Sequence, residues 1–258
     1  MPTTLPLADF LQEKAEFYNC RAFIEKDPIS VPHAFTLAQD REIAGFFAAI
    51  LAWGNRTTII ANALRLMQWM DDKPHEFVLH HKPSDLRPFL GFAHRTFNTT
   101  DLLYTLSFLQ QHYLEHDSLQ QAFAPGATYS YPTVEQALIH FHNYFFSDPD
   151  HPDRTRKHIP TPLRRSACKR LNMYLRWMVR RDKKGVDFGI WNTIAPSQLI
   201  LPLDVHVASV AVRLGLLPDA RSTWDNADLL TARLRLIDPV DPARFDFALF
   251  GLGMAERM

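Results

Sequence analysis

Apolar residues recur at helical spacing along almost the whole chain, and no alternating run is long enough to build a sheet. Residues 41–53 (REIAGFFAAILAW) are apolar nearly all round, which predicts a buried helix with Asp40 capping its start and Gly54 ending it. A second helix is expected over about 56–70, where Ile59, Ile60, Ala63, Leu64, Leu66, Met67 and Met70 repeat. After a Pro-punctuated stretch at 71–98, a helix near 100–115 sets Leu102, Leu103, Leu106, Leu109 and Tyr113 on one side. Thr133 and Gln136 have capping-box spacing ahead of a helix over about 134–146. The polar segment 147–160 reads as a loop.

Thr161-Pro162 has the look of an N-cap followed by Pro at the first helical position, so a helix is expected from there to about Arg181. Leu171, Tyr174, Leu175 and Met178 form its inner stripe, with arginines on the outside. A loop or short helix covers 182–203. Asp204 then caps a helix ending at Leu214, with Gly215 as its C-terminal cap. Two last helices cover about 224–236 and 242–250, the second announced by Asp241-Pro242 and closed by Gly251. The pattern predicts an all-α fold.

Composition narrows the classes. At 258 residues, 47% hydrophobic and 22% charged, the chain is that of a folded protein able to bury a core. The longest apolar run, Ile43 to Trp53, is too short to cross a bilayer, so no membrane is expected as a partner. The start, MPTTLPLADFLQEK, carries neither a basic n-region nor an h-region, so no signal peptide is expected. Two cysteines, Cys20 and Cys168, cannot make a disulfide framework, a four-cysteine zinc site or an iron–sulfur cluster, which suits a reducing cytoplasm. There is no GxGxxG, Walker A or GxSxG string, which weighs against nucleotide folds and hydrolase elbows.

Zero net charge hides an asymmetry. From Arg154 to Lys184 there are twelve Lys/Arg and one acid, Asp182, a local charge of +11 balanced by the rest of the chain. Such a stripe is a footprint for a polyanion, or else a solvated helix face.

Two segments carry candidate chemistry, RRSACKRLNMYLRWMVRR at 164–181 and ILPLDVHVASVAVRLGL at 200–216. Together they supply a lysine on a basic helix and an Asp at the start of the next main helix. They resemble the helix-hairpin-helix DNA glycosylase/lyase superfamily, to which endonuclease III and the 8-oxoguanine glycosylases belong. Lys169-Arg170-Leu171-Asn172 stands where the superfamily has its catalytic Lys and the Asn three residues on. Pro202-Leu203-Asp204-Val205-His206-Val207 is similar to its "VPVDxHV" string, which contains the catalytic Asp. IAGFFAAILAWGNRTTII at 43–60 resembles its first core helix, with Trp53 where a base-contacting Gln often lies. Strings such as "CKRLNMYLRWMVR" and "DFALFGLG" make the whole chain similar to a bacterial family of unassigned function within this superfamily.

The chain departs from the superfamily pattern in two places. The usual hairpin "LPGVGxKTA" becomes HIPTPLRRSACK, with no glycine between Pro160 and Lys169, so the hairpin is degenerate. Lys169 and Asp204 are 35 residues apart, longer than in ordinary members and nearest to the archaeal 8-oxoguanine glycosylases, with the extra length mainly at Asp182–Ala195.

The resemblance implies a two-lobed glycosylase-like fold, with lobes over 40–147 and 148–258 and a long cleft between them, and excision of a damaged base, an oxidised purine, from duplex DNA. It implies abasic-site lyase activity, a nucleoid-associated cytoplasmic location and no cofactor beyond a monovalent cation at the hairpin. Lys169 would be the nucleophile and Asp204 its proton acceptor. A lysine amine is mostly protonated at neutral pH, and the neighbouring Arg165 and Arg170 would lower its pKa. Arg164, Arg165, Ser166 and Arg170 would grip phosphate. Trp53, Asn55, Asn172 and His206 are base-pocket candidates, and Asp187 and Trp191 would lie in the insert near the mouth. The bland roles stand beside these: Asp204 and Asn55 as caps, Trp53 as core, His206 as a packing residue.

Two rival readings remain. One is a non-catalytic DNA- or RNA-binding protein on the same scaffold. The other is a zinc hydrolase at His112-Tyr113-Leu114-Glu115-His116, which reads HxxEH, with Glu135 as a third ligand. Cys168 reads as a small buried thiol rather than a nucleophile. No obligate protein partner is implied.

Overall fold

The computed structural model describes residues 5–255, and they are mostly helical, as the periodicity predicts. The helices are α1 (Leu5–Tyr18), α2 (Ser30–His33), α3 (Ala38–Ile50), α4 (Arg56–Trp69), α5 (Pro74–His80), α6 (Thr99–Glu115), α7 (Gln120–Phe123), α8 (Glu135–Phe145), α9 (Lys169–Val179), α10 (Val205–Arg213), α11 (Trp224–Arg235) and α12 (Asp246–Ala255). The two-residue strands β1 (Ala93–His94) and β2 (Phe97–Asn98) pair antiparallel, His94 opposite Phe97. Among the described residues no helix is long and apolar enough to cross a membrane. The chain divides into two compact units. One comprises 24–127 and 140–160; the other comprises 1–23, 128–139 and 161–258.

In the 24–127 and 140–160 unit, α3 is buried along its length from Glu42 to Ile50. Phe46 meets Phe141 edge-on at 5.7 Å, and Phe141 stacks on Phe123 at 4.0 Å. Such fully buried aromatic rings each contribute roughly 1.5–3 kcal/mol. The apolar pattern of α3 conceals Glu42, whose buried carboxylate accepts from Tyr113 Oη at 2.8 Å, Ser118 Oγ at 2.5 Å and the Leu119 N–H at 2.9 Å. Asp40 does not cap α3. The cap position is Leu37, and Asp40 accepts the His75 N–H at 2.9 Å, pinning α5 instead. The helix also stops at Ile50 rather than at Gly54.

The other unit is built around α9, whose residues Leu171 to Val179 are all buried, with α1, α10 and α12. α10 follows its expectation closely. Asp204 accepts the N–H groups of His206 and Val207, both at 2.9 Å. At its end Gly215 takes φ +70° while its N–H and that of Leu216 bond back to Val212 and Ala211. Gly251 is not a helix end. It lies inside α12, where a Cβ would come within 2.3 Å of the Tyr18 ring, so its role is to seat α1 against α12.

The long helix expected from Thr161 is broken. A 3-10 turn at Pro162–Arg164 ends in Arg165 at φ +57°, and Cys168 takes φ +47° before α9 starts at Lys169. A continuous helix would offer the Arg165 carbonyl to the Lys169 N–H. Here that carbonyl accepts the Trp224 N–H at 3.1 Å, and Ser166 pairs with Thr223 in an isolated bridge. Thr161 gives no side-chain cap bond.

Candidate active site

Breaking the helix sets Lys169 at the first position of α9. The cap of α10 holds Asp204. The two meet: Lys169 Nζ lies 3.0 Å from Asp204 Oδ2, with about a quarter of each side chain exposed, 29% and 23%. Asp204 thus uses Oδ1 for the helix cap and Oδ2 for the amine. Burial, the largest influence on Asp204, pushes its carboxyl up. The Lys169 charge and the N–H groups of Val207 and His206 outweigh it and hold the group below the ordinary carboxylate range.

Behind this pair is a chain of alternating charges that the pattern misassigned to the surface. Arg176, two turns along α9 from Lys169, is buried, as is Arg180. Arg176 bonds Asp187 at 3.3 Å and, more tightly, Asp246, the first residue of α12. Arg180 bonds Asp187 at 3.0 Å and both Asp182 and Asp241 at 2.8 Å. The Phe247 ring lies 4.5 Å from the Arg176 guanidinium. Asp187 is therefore not a mouth residue: it clamps two arginines. Trp191 is likewise buried, edge-on against Tyr174 at 5.4 Å. Asp246 was not singled out by sequence reasoning. The signal available was the i, i+4, i+8 stripe Asn172–Arg176–Arg180, a polar row through the otherwise apolar stretch 171–179 and its C-cap.

A family model described as a protein of unknown function (DUF2400) matches residues 27–255. The chain belongs to this DUF2400 family. No curated protein and no solved structure matches it significantly.

The remaining candidates of this DUF2400 chain sort by unit. Around the turn before α9, Arg164 and Arg165 are exposed and make no ion pair among the described residues. Ser166 turns its hydroxyl inward to accept the Cys168 N–H at 3.2 Å. Arg170 is half-buried, and burial lowers its guanidinium to about 10. Asn172 is fully buried, and its amide donates to the Ala167 carbonyl at 3.0 Å, so it braces the turn rather than lining a pocket. His206 is exposed beside Asp204. Cys168 is a buried thiol pushed up to about 12 by burial, which removes it as a nucleophile.

In the turn, the carbonyls at Arg165, Ser166, Ala167 and Cys168 accept from Trp224 N, Cys168 Sγ, Asn172 Nδ2 and Asn172 N, bonds that hold the turn together.

Trp53 and Asn55 belong to the 24–127 and 140–160 unit. Asn55 caps α4, accepting the Thr58 N–H at 3.1 Å. Trp53 is half-buried, stacked on His158 at 5.6 Å and edge-on to His94 at 5.0 Å. His158 in turn lies 3.4 Å from the buried Asp101. The zinc motif fails on its own geometry. His112 is buried with Nε2 2.9 Å from the Ser118 carbonyl and Nδ1 3.2 Å from Tyr144 Oη, which commits both nitrogens. Among the described residues no group of three or more His, Cys, Asp or Glu could hold a metal ion.

Proposed function

We propose that this DUF2400 chain is a DNA base-excision glycosylase with abasic-site lyase activity on a glycosylase-like helix-hairpin-helix scaffold. The observation that carries the reading is the 3.0 Å contact of Lys169 Nζ with Asp204 Oδ2, between residues whose strings resemble the superfamily's catalytic pair. The exposed Arg164 and Arg165 beside the uncapped start of α9 support binding of a phosphate backbone.

The chemistry follows from the two groups. A damaged base is extruded from the stack. The neutral Lys169 amine attacks the sugar C1′, the glycosidic C–N bond breaks, and the base leaves as an anion that takes a proton from water. Asp204, ionised at neutral pH, stabilises the positive charge that develops at the sugar and receives the lysine proton. Ring opening gives a Schiff base. β-Elimination passes a C2′ proton to water and breaks the C3′–O bond with departure of the 3′ phosphate, and hydrolysis by water releases the lysine. The substrate class proposed is an oxidised purine in duplex DNA, a choice that rests on resemblance in Lys-to-Asp spacing.

Borohydride trapping on an abasic-site duplex tests this. A covalent adduct is expected that is lost in Lys169→Ala and falls roughly 10²-fold or more in Asp204→Asn. A gel shift without an adduct would establish the second reading, nucleic-acid binding without chemistry. That reading draws support from the cap bonds of Asp204, which a helix uses whether or not catalysis occurs.

A further inference from the structure

Lys169 and Asp204 are far apart along the chain, and a third segment bonds to both of their surroundings. Residues 222–224 lead into α11. The Ser222 hydroxyl donates to the Leu203 carbonyl at 2.8 Å. That carbonyl belongs to the peptide unit whose nitrogen is Asp204's own. Thr223 pairs with Ser166 in the isolated bridge, and the Trp224 N–H meets the Arg165 carbonyl at 3.1 Å, in the turn that leads into Lys169. α11 grips the Asp204 side a second time, where Thr231 Oγ1 accepts the Leu201 N–H at 3.0 Å. The strap is itself fastened. The Asn226 amide, from α11, donates to Asp219 Oδ1 at 2.8 Å and to the Arg221 carbonyl at 2.9 Å.

We propose that Ser222 is a positioning residue for the Lys169–Asp204 pair, fixing the peptide that enters Asp204 against the turn that starts α9. Its catalytic purpose rests on the reading that the pair is the reactive centre. Asp204 spends Oδ1 on its two cap bonds, so Oδ2 points where the backbone entering α10 aims it. Turning the Leu203–Asp204 peptide changes that aim. The flexible lysine stem follows a displaced carboxylate only by giving up rotamer freedom, so the 3.0 Å contact depends on where the two backbones are set. Ser222 is exposed, and its link to Leu203 is the one bond between the strap's three residues and the Asp204 side that a side chain makes. Removing the hydroxyl frees that peptide to turn, while the main-chain bonds at Arg165 and Ser166 keep the fold.

The first test needs no substrate. Lys169→Met, Asp204→Asn and the double variant are unfolded by denaturant, which gives the coupling of the pair as a fold-change in the unfolding constant. A pair this exposed should couple by roughly two- to fivefold. In the Ser222→Ala background the coupling is expected to vanish, and Ser222→Thr, which keeps the hydroxyl, should restore it. A general loss of stability cancels within each cycle, so a merely structural serine would leave the coupling unchanged. Coupling of the same size with and without the hydroxyl overturns the proposal, as does its absence from the unmutated chain. Borohydride trapping on an abasic-site duplex reads the catalytic purpose. Ser222→Ala should slow single-turnover adduct formation roughly tenfold with duplex affinity held within about twofold, and Ser222→Thr should recover the rate. In the Asp204→Asn background Ser222→Ala should slow it no further. A chain that gives no adduct yet couples through Ser222 refutes the function and keeps this inference. An adduct that forms at an unchanged rate in Ser222→Ala keeps the function and overturns the inference.

Discussion

The carbonyl of Arg165 accepts the backbone N–H of Trp224 at 3.1 Å, and that bond decides where α9 begins. It holds Arg165 at φ +57°, a conformation that costs a non-glycine residue about 1–2 kcal/mol. Arg165→Gly is therefore expected to stabilise the fold by roughly 0.5–1 kcal/mol after the extra freedom of glycine in the unfolded chain is subtracted. Melting should rise by about 1–4 °C. Under the proposed function, affinity for a DNA duplex should fall and its salt dependence should flatten, because one exposed cation is gone. A lower melting temperature would mean that the side chain contributes more than its backbone costs.

Asp204 does two jobs, and two substitutions separate them. Asp204→Asn keeps a good helix cap and loses the charge, so only the partly exposed ion pair is lost, about 0.5–1 kcal/mol. Asp204→Ala loses the cap as well, costing about a further 1 kcal/mol. The Asp204 pKa is lower in the fold than in the unfolded chain. Its contribution is thus full above the ordinary value of 3.8 and disappears as pH falls through the lower folded value. Chemical denaturation of both variants between pH 2 and about 7 gives the two differences.

His112 sets a second pH window of the opposite origin. Burial, the largest influence, pushes it down to about 4 from 6.5, against the help of the Ser118 carbonyl. Below pH 6.5 the unfolded chain binds a proton there that the folded chain refuses, so stability falls with pH between 6.5 and about 4. The loss from this residue is on the order of 2–3 kcal/mol. In His112→Gln the slope of unfolding free energy against pH should flatten across that window, even if the absolute stability is lower.

Gly251→Ala is expected to destabilise by about 1–3 kcal/mol, because the added Cβ would meet the Tyr18 ring at 2.3 Å. The cost outweighs the gain in helix propensity of up to about 1 kcal/mol. Combined with Tyr18→Ala the penalty should largely vanish, a non-additivity that a double-mutant cycle measures.

The legible parts of the sequence are those where local chemistry and tertiary packing agree. Asp204 and Gly215 mark α10 because a capping carboxylate and a left-handed glycine act through their own local backbone, whatever else Asp204 meets. Helix spacing places Leu171, Tyr174, Leu175 and Met178 in the core, where all four are fully buried. It misplaces Arg176 and Arg180, since a cation on a helix reads as solvated unless its partners are known. Two of those partners, Asp241 and Asp246, come from segments more than 60 residues along the chain, and Asp187 from the irregular loop after α9, whose path back onto the helix no periodicity shows. The break at Arg165 was illegible for the same reason, its cause being Trp224. Pro162 and Thr161 announced a helix that a distant backbone pulled apart. The Lys169–Asp204 contact was legible only through resemblance, because nothing in 35 residues of spacing requires the two to meet.

The segment after α9 resembles a removable insertion, yet it is fastened at both levels. Phe188 and Trp191 give their N–H groups to the Trp177 and Met178 carbonyls that a helix end leaves open, and Asp187 answers two guanidiniums. Removing it would strand cations in an apolar interior and uncover the helix terminus behind them. Protein engineers should treat this stretch as a keystone, and any minimised version of the chain would need neutral replacements at positions 176 and 180 first.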